Sequence, residues 1–73
     1  MNAMEYIRRR IFGVTQTAMA QIAGVNQSTV CRLETGATYP SQGEMQRIRQ
    51  AARRRGIPWN DTWFFEAPTE VAE

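Results

Sequence analysis

The 73-residue chain predicts an all-α fold, a compact bundle of four to five short helices with a central helix-turn-helix. Three observations carry this. Apolar residues recur at helical i, i+3, i+4 spacing, glycines close these runs at short intervals, and strand-like alternation is nearly missing. The length allows one small domain, since a fold of this size buries only ~60% of the surface its chain exposes when unfolded.

In the first helix, Met4, Ile7 and Ile11 share one face of a run from Met4 to Phe12 that ends at Gly13. Thr15 is the expected N-cap of a second helix, Gln16 to Ala23, with Met19, Ala20 and Ala23 on its buried side. Gly24 ends it, because a helix that stops in the left-handed conformation favours a residue without a Cβ. Asn26 or Gln27 opens a third helix in which Val30 and Leu33 point inward, and Gly36 closes it. Ser41-Gln42-Gly43-Glu44 has the S-x-x-E form of a capping box. A fourth helix is therefore expected from about Gln42 to Arg55, burying Met45, Ile48, Ala51 and Ala52. Arg53, Arg54 and Arg55 suit its negative C-terminal end, and Gly56 and Pro58 stop it.

Four of the seven aromatics then fall within residues 59–65, too many for a solvated tail. Asn60 or Asp61 is a cap for a short fifth helix, and Trp63-Phe64-Phe65 reads equally well as an edge strand. The domain is placed at residues 1–66, with 67–73 as a frayed acidic tail.

Histidine is absent and Cys31 is the single cysteine, so a Cys/His zinc site, a disulfide framework and a Cys-His or Ser-His couple lack their parts. Nor is there a phosphate-cradling glycine loop, and no enzyme, metal, cofactor or small-molecule ligand is expected. Residues 11–31 carry no charge, yet their Thr, Gln, Asn and Ser content is too polar for hydrocarbon, so no membrane span is expected. A cytoplasmic location is the expectation. All nine cations are Arg and lie within residues 1–60, against Glu5, Glu34 and Glu44; residues 61–73 hold four acids and no cation. A basic body of this kind is a modest argument for a polyanionic partner.

The second and third helices, joined by so few residues, must cross steeply, and this fixes residue types at set offsets. Counted from Gln16, Met19 and Ala20 are fourth and fifth, Ala23 and Gly24 eighth and ninth, Val25 tenth, Val30 fifteenth and Leu33 eighteenth. A helix-turn-helix needs an apolar residue, a small one at the crossing, an apolar one, Gly and three apolar anchors in that order. The segment VTQTAMAQIAGVNQSTVCRLETG, residues 14–36, accordingly resembles the core of the lambda-repressor-like, Cro/C1-type helix-turn-helix family.

The sharp part of the resemblance covers about a third of the chain, residues 14–36, and the family architecture extends it over residues 3–65. It implies binding of double-stranded DNA in the major groove, as a homodimer on a palindromic operator. By position, Gln16 resembles a glutamine that bonds a backbone phosphate and braces Gln27, which in turn resembles a reader of adenine N6 and N7. Ser28 and Arg32 share the exposed face, Arg32 as candidate for guanine and Ser28 for a base edge or phosphate. Asn26 and Thr29 fall where the family contacts phosphate or a thymine methyl. Thr15, Thr35, Thr38, Tyr39 and Ser41 are further phosphate-contacting or positioning candidates. The resemblance also implies a buried salt bridge between Arg9 and Glu34, joining the first and third helices. In the first helix the chain departs from the family, with Glu5 and Arg8 at places that are usually apolar.

The chain is thus expected to be a Cro-like or minimal-repressor transcription regulator. Trp59, Trp63, Phe64 and Phe65 are expected to divide between core and dimer contact. Two other readings stay open. One is an antitoxin whose aromatic, acidic C-terminal stretch holds a basic toxin; the other is a protein-interaction adaptor that has lost DNA readout.

Overall fold

The first helix, α1 (Ala3–Tyr6), begins where the Asn2 side chain accepts the Glu5 N–H at 2.9 Å. It runs directly into a π-helical segment, Ile7–Phe12, that ends at Gly13. The N–H groups of Gly13 and Val14 both reach back to the Arg8 carbonyl, five and six residues away, in place of the four of an α-helix. The structure, a computed structural model, describes residues 1–68, so the tail expected at 67–73 lies largely outside the described residues.

The three helices that follow obey the local signals. In α2 (Gln16–Ala23) Thr15 Oγ1 accepts the Ala18 N–H at 3.1 Å, and in α3 (Gln27–Thr35) Asn26 Oδ1 accepts the Thr29 N–H at 2.8 Å. In α4 (Gln42–Arg54) the capping box closes both ways. Glu44 N–H donates to Ser41 Oγ at 3.1 Å, and Ser41 N–H donates to Glu44 Oε1 at 3.0 Å. Each such cap satisfies one of the helix's orphan donors and is worth ~1 kcal/mol.

The aromatic segment forms one turn of 3₁₀-helix, Asp61–Phe64, and no strand occurs among the described residues. A strand would put Trp63 and Phe65 on one face and Phe64 on the other. Instead the Asn60 side chain accepts both the Thr62 N–H (3.0 Å) and the Thr62 hydroxyl (2.8 Å), turning the chain at once. Phe64 drops into the core while Phe65 is 74% exposed.

The core is built around four large, fully buried side chains, Ile7, Met19, Val30 and Ile48, one each from the π segment, α2, α3 and α4, with Ala20 and Ala23 letting the backbones approach. Burying each of the four larger side chains is worth about 1.5–3 kcal/mol relative to exposure. α2 packs on both α3 and α4, while α1 packs on α3 and on the 3₁₀ turn. Trp59 meets the Trp63 and Phe64 rings at 5.1 Å and Phe12 at 6.3 Å, so the aromatics tie the 3₁₀ turn to the π-helical segment.

The π segment alters one expectation. Met4 and Ile7 are buried as expected, but the next residue packed against the core is Phe12, five positions after Ile7, not Ile11. One extra residue in the turn advances every later side chain of the helix. No helix among the described residues is long and apolar enough to cross a membrane.

Candidate nucleic-acid interface

The α2–α3 turn has the geometry its residues demand. Gly24 is left-handed at φ 73°, the Val25 N–H returns to the Ala20 carbonyl at 2.9 Å, and Val25 packs half-buried against the core. The first turn of α3 therefore projects from the body, with Gln27 and Ser28 exposed and Arg32 exposed further along the same helix. Cys31 is also exposed there, as a free thiol.

Behind this face runs a connected set of polar contacts. Gln27 Nε2 donates to Gln16 Oε1 at 3.4 Å, as the family resemblance implies, and Gln27 Oε1 accepts from the Thr17 hydroxyl at 3.5 Å. Gln16 Nε2 donates to Glu34 Oε1 at 3.2 Å. Glu34 in turn receives a two-pronged contact from Arg8, Nε to Oε2 at 2.5 Å and Nη2 to Oε1 at 3.1 Å. Neither Thr17 nor Arg8 was singled out for this role from sequence.

The salt bridge to Glu34 thus comes from Arg8, which corrects the pairing expected for Arg9. The reason is the π turn. Counting back from Gly13 as along an α-helix points to Arg9, but the extra residue brings Arg8 to the inner face. Arg9 lies outside and pairs along the helix with Glu5, at 2.9 Å. Arg8 and Glu34 are only 16% and 8% exposed at the side chain, so this is a largely desolvated pair. Arg8 Nη1 also donates to the Val14 carbonyl at 3.1 Å, fastening the entry to α2.

The hydroxyl groups divide by where their protons are committed. Ser28 Oγ and Thr29 Oγ1 both donate to Asn26 Oδ1, at 2.7 and 2.9 Å, and Thr35 Oγ1 donates to the Arg32 carbonyl at 3.1 Å. Ser28 consequently offers lone pairs to its surroundings. Thr15 and Ser41 are different: each oxygen accepts a capping N–H, which leaves the hydroxyl proton to donate outward. Asn26 spends its carbonyl oxygen on three donors and keeps its amide NH2 for a further partner. Thr38 is half-buried and Tyr39 is 82% exposed in the loop between α3 and α4.

A residue the sequence left unremarked supports the turn from behind. Arg47 of α4 donates from Nε to the Ala23 carbonyl at 2.6 Å, at the C-terminal end of α2. In sequence it reads as one more cation on a solvated face, because its partner lies 24 residues away.

Of the four aromatics near the end of the chain, Phe64 belongs to the core and Trp59 and Trp63 are half-buried against it. Phe65 alone is open to solvent, and it shares with Tyr39, Pro40, Leu33 and Met4 a crevice of about 190 Å³. No group of acidic or cysteine side chains suited to a metal ion occurs among the described residues.

The helix-turn-helix family profile matches residues 6–55, which spans the π-helical segment, α2, the turn, α3 and α4. No curated protein and no solved structure matches the chain.

Proposed function

The chain belongs to the Cro/C1-type helix-turn-helix family of DNA-binding domains, and from that premise we propose that it is a sequence-specific transcriptional regulator. It inserts the first turns of α3 into the major groove. The observation that carries this is the exposed Gln27 amide, braced by Gln16 at the start of a projecting helix. An amide so held has a free N–H and a free lone pair, the pair that adenine N7 and N6 require. Arg32, on the same helix and without an acidic partner among the described residues, is assigned to guanine O6/N7.

The hydrogen-bond inventory sorts the remaining candidates. Ser28 accepts, which suits an exocyclic amine on a base edge. Thr15, Ser41 and the Asn26 amide donate, which suits phosphate oxygens, and Gln16 lies beside Thr15 at the start of α2. Thr29, whose hydroxyl donates to the Asn26 side chain, and Thr35, whose hydroxyl donates to the Arg32 carbonyl, serve as positioning residues, and Thr38 and Tyr39 flank the phosphate path.

We further assign a homodimer on a palindromic operator. The exposed Phe65 and Tyr39, which line one crevice, supply apolar area for a second copy. Selection from a random duplex library at near-physiological salt, followed by sequencing of the bound pool, tests both parts. A palindrome with half-sites about one helical turn apart, roughly 34 Å, is the expected outcome. Bulk, salt-sensitive binding with no enriched motif would overturn the sequence-specific reading.

A further inference from the structure

We propose that Glu34 is a positioning residue for base readout, orienting Gln16 and, through it, Gln27, so that the recognition helix presents its amide in one sense only. The inference deepens the base-reading role assigned to Gln27 and rests on it.

Glu34 sits at the far end of α3 from Gln27, seven residues and about two turns away. Its carboxylate is held by the Arg8 guanidinium on both oxygens, and as an ionised group it only accepts. A primary amide facing it must turn its NH2 inward, because a carbonyl oxygen there would oppose lone pair to lone pair. Gln16 does so, with Nε2 at 3.2 Å from Glu34 Oε1. Its own Oε1 then necessarily points toward α3, where it receives Gln27 Nε2 at 3.4 Å. Gln27 Oε1 is left facing the Thr17 hydroxyl at 3.5 Å.

The polarity of each link follows from the one before it. Reversing Gln27 alone would set its oxygen against that of Gln16, and reversing Gln16 would set an oxygen against Glu34. The last link is also a loose one, since the Gln27–Gln16 contact is longer than an ideal hydrogen bond. Gln27 is therefore oriented without being consumed: one N–H and one lone pair remain for a base. A neutral amide at position 34 tolerates either orientation of Gln16, and with it either orientation of Gln27.

The test compares the full-length wild type, Gln27→Ala, Gln16→Met, Glu34→Gln and the Gln16→Met/Glu34→Gln double variant. Each is titrated with the selected operator and with duplexes changed at the base pair that Gln27 reads. The preference at that base pair is expected to fall ~3-fold or more in Glu34→Gln, by a similar factor in Gln16→Met and no further in the double variant, with other positions unchanged. A Glu34→Gln protein that weakens on all duplexes by one factor, with its preference intact, overturns the proposal and leaves Glu34 as a fold element. Gln16→Met keeps the Arg8–Glu34 pair, so it serves even where Glu34→Gln does not fold, and an intact preference in it is equally fatal. A wild-type preference that ignores Gln27→Ala removes the base-reading role itself, a result distinct from a Gln27-dependent preference that ignores position 34.

Discussion

Arg49 of α4 and Asp61 at the head of the 3₁₀ turn are joined at 2.8 Å, and the same Asp61 oxygen accepts the Trp59 indole N–H, also at 2.8 Å. The Arg49 guanidinium further lies 5.2 Å from the centre of the Phe64 ring. One arginine thus docks the aromatic segment onto α4 by charge and by ring face.

The Arg49 hydrogen bond, aided by that from Trp59, holds the Asp61 carboxyl below the ordinary aspartate range. A depressed carboxylate contributes stability above its unfolded-chain value and loses it as pH falls through the folded one. Tryptophan fluorescence is therefore expected to change in acid, as the Trp59 contact loosens, and this acid step should vanish in Asp61→Asn. Because Asp61 is well exposed, the loss of stability at neutral pH should be small, about 0.2–1 kcal/mol. An acid step of equal size in Asp61→Asn would assign it to another carboxylate.

Arg8→Ala and Arg9→Ala, adjacent and chemically identical changes, are expected to differ sharply. The first strands Glu34 in a largely desolvated site and should cost about 3–5 kcal/mol in urea unfolding. The second removes an exposed helix-surface pair with Glu5 and should cost about 0.5 kcal/mol or less. Equal losses would contradict the π register.

Gly24→Ala should cost more than Gly36→Ala although both positions are left-handed. A Cβ at Gly24 would fall 2.5 Å from Arg47 Nε, whereas a Cβ at Gly36 would meet no atom within 4 Å beyond its adjoining chain. Arg47 has room to swing away, but only by giving up the Ala23 carbonyl. The expected excess is about 0.5–1.5 kcal/mol, the net worth of one hydrogen bond. It should disappear when both glycine changes are repeated on Arg47→Ala, as read by thermal unfolding.

Phe65→Ser should leave the monomer fold intact and move sedimentation toward the monomer. Phe64→Ala should instead lower stability by about 3–5 kcal/mol through the cavity left in the core. A Phe65→Ser protein that still sediments as a dimer would place the contact elsewhere.

What was legible in the sequence was local. Thr15, Asn26 and Ser41 cap the helices they precede because a cap is settled within four residues, and Met19, Ala20, Val30 and Leu33 face inward because their spacing admits one face. The Gln16–Gln27 contact came from resemblance, not from spacing. Arg47 on Ala23 and Arg8 on Glu34 were hidden for another reason: an arginine's partner depends on where distant helices end up. The Trp63-Phe64-Phe65 run was ambiguous between helix and strand because three adjacent aromatics carry no period, and the Asn60 hydrogen bonds decided it.

The wide turn between Ile7 and Phe12 also bears on how chains of this kind change length. Read as history, it has the form of a single-residue insertion absorbed inside a helix, with both flanking faces kept in place and the surplus confined to one loop of backbone. Deleting Arg10 should let the helix relax to ordinary winding and leave Arg8 four residues before Gly13, its guanidinium still opposite Glu34. In the undeleted chain ordinary winding would instead put Arg9, four residues before Gly13, on that face, so the two adjacent arginines act as a spare part: whichever winding the helix takes, a guanidinium arrives opposite Glu34.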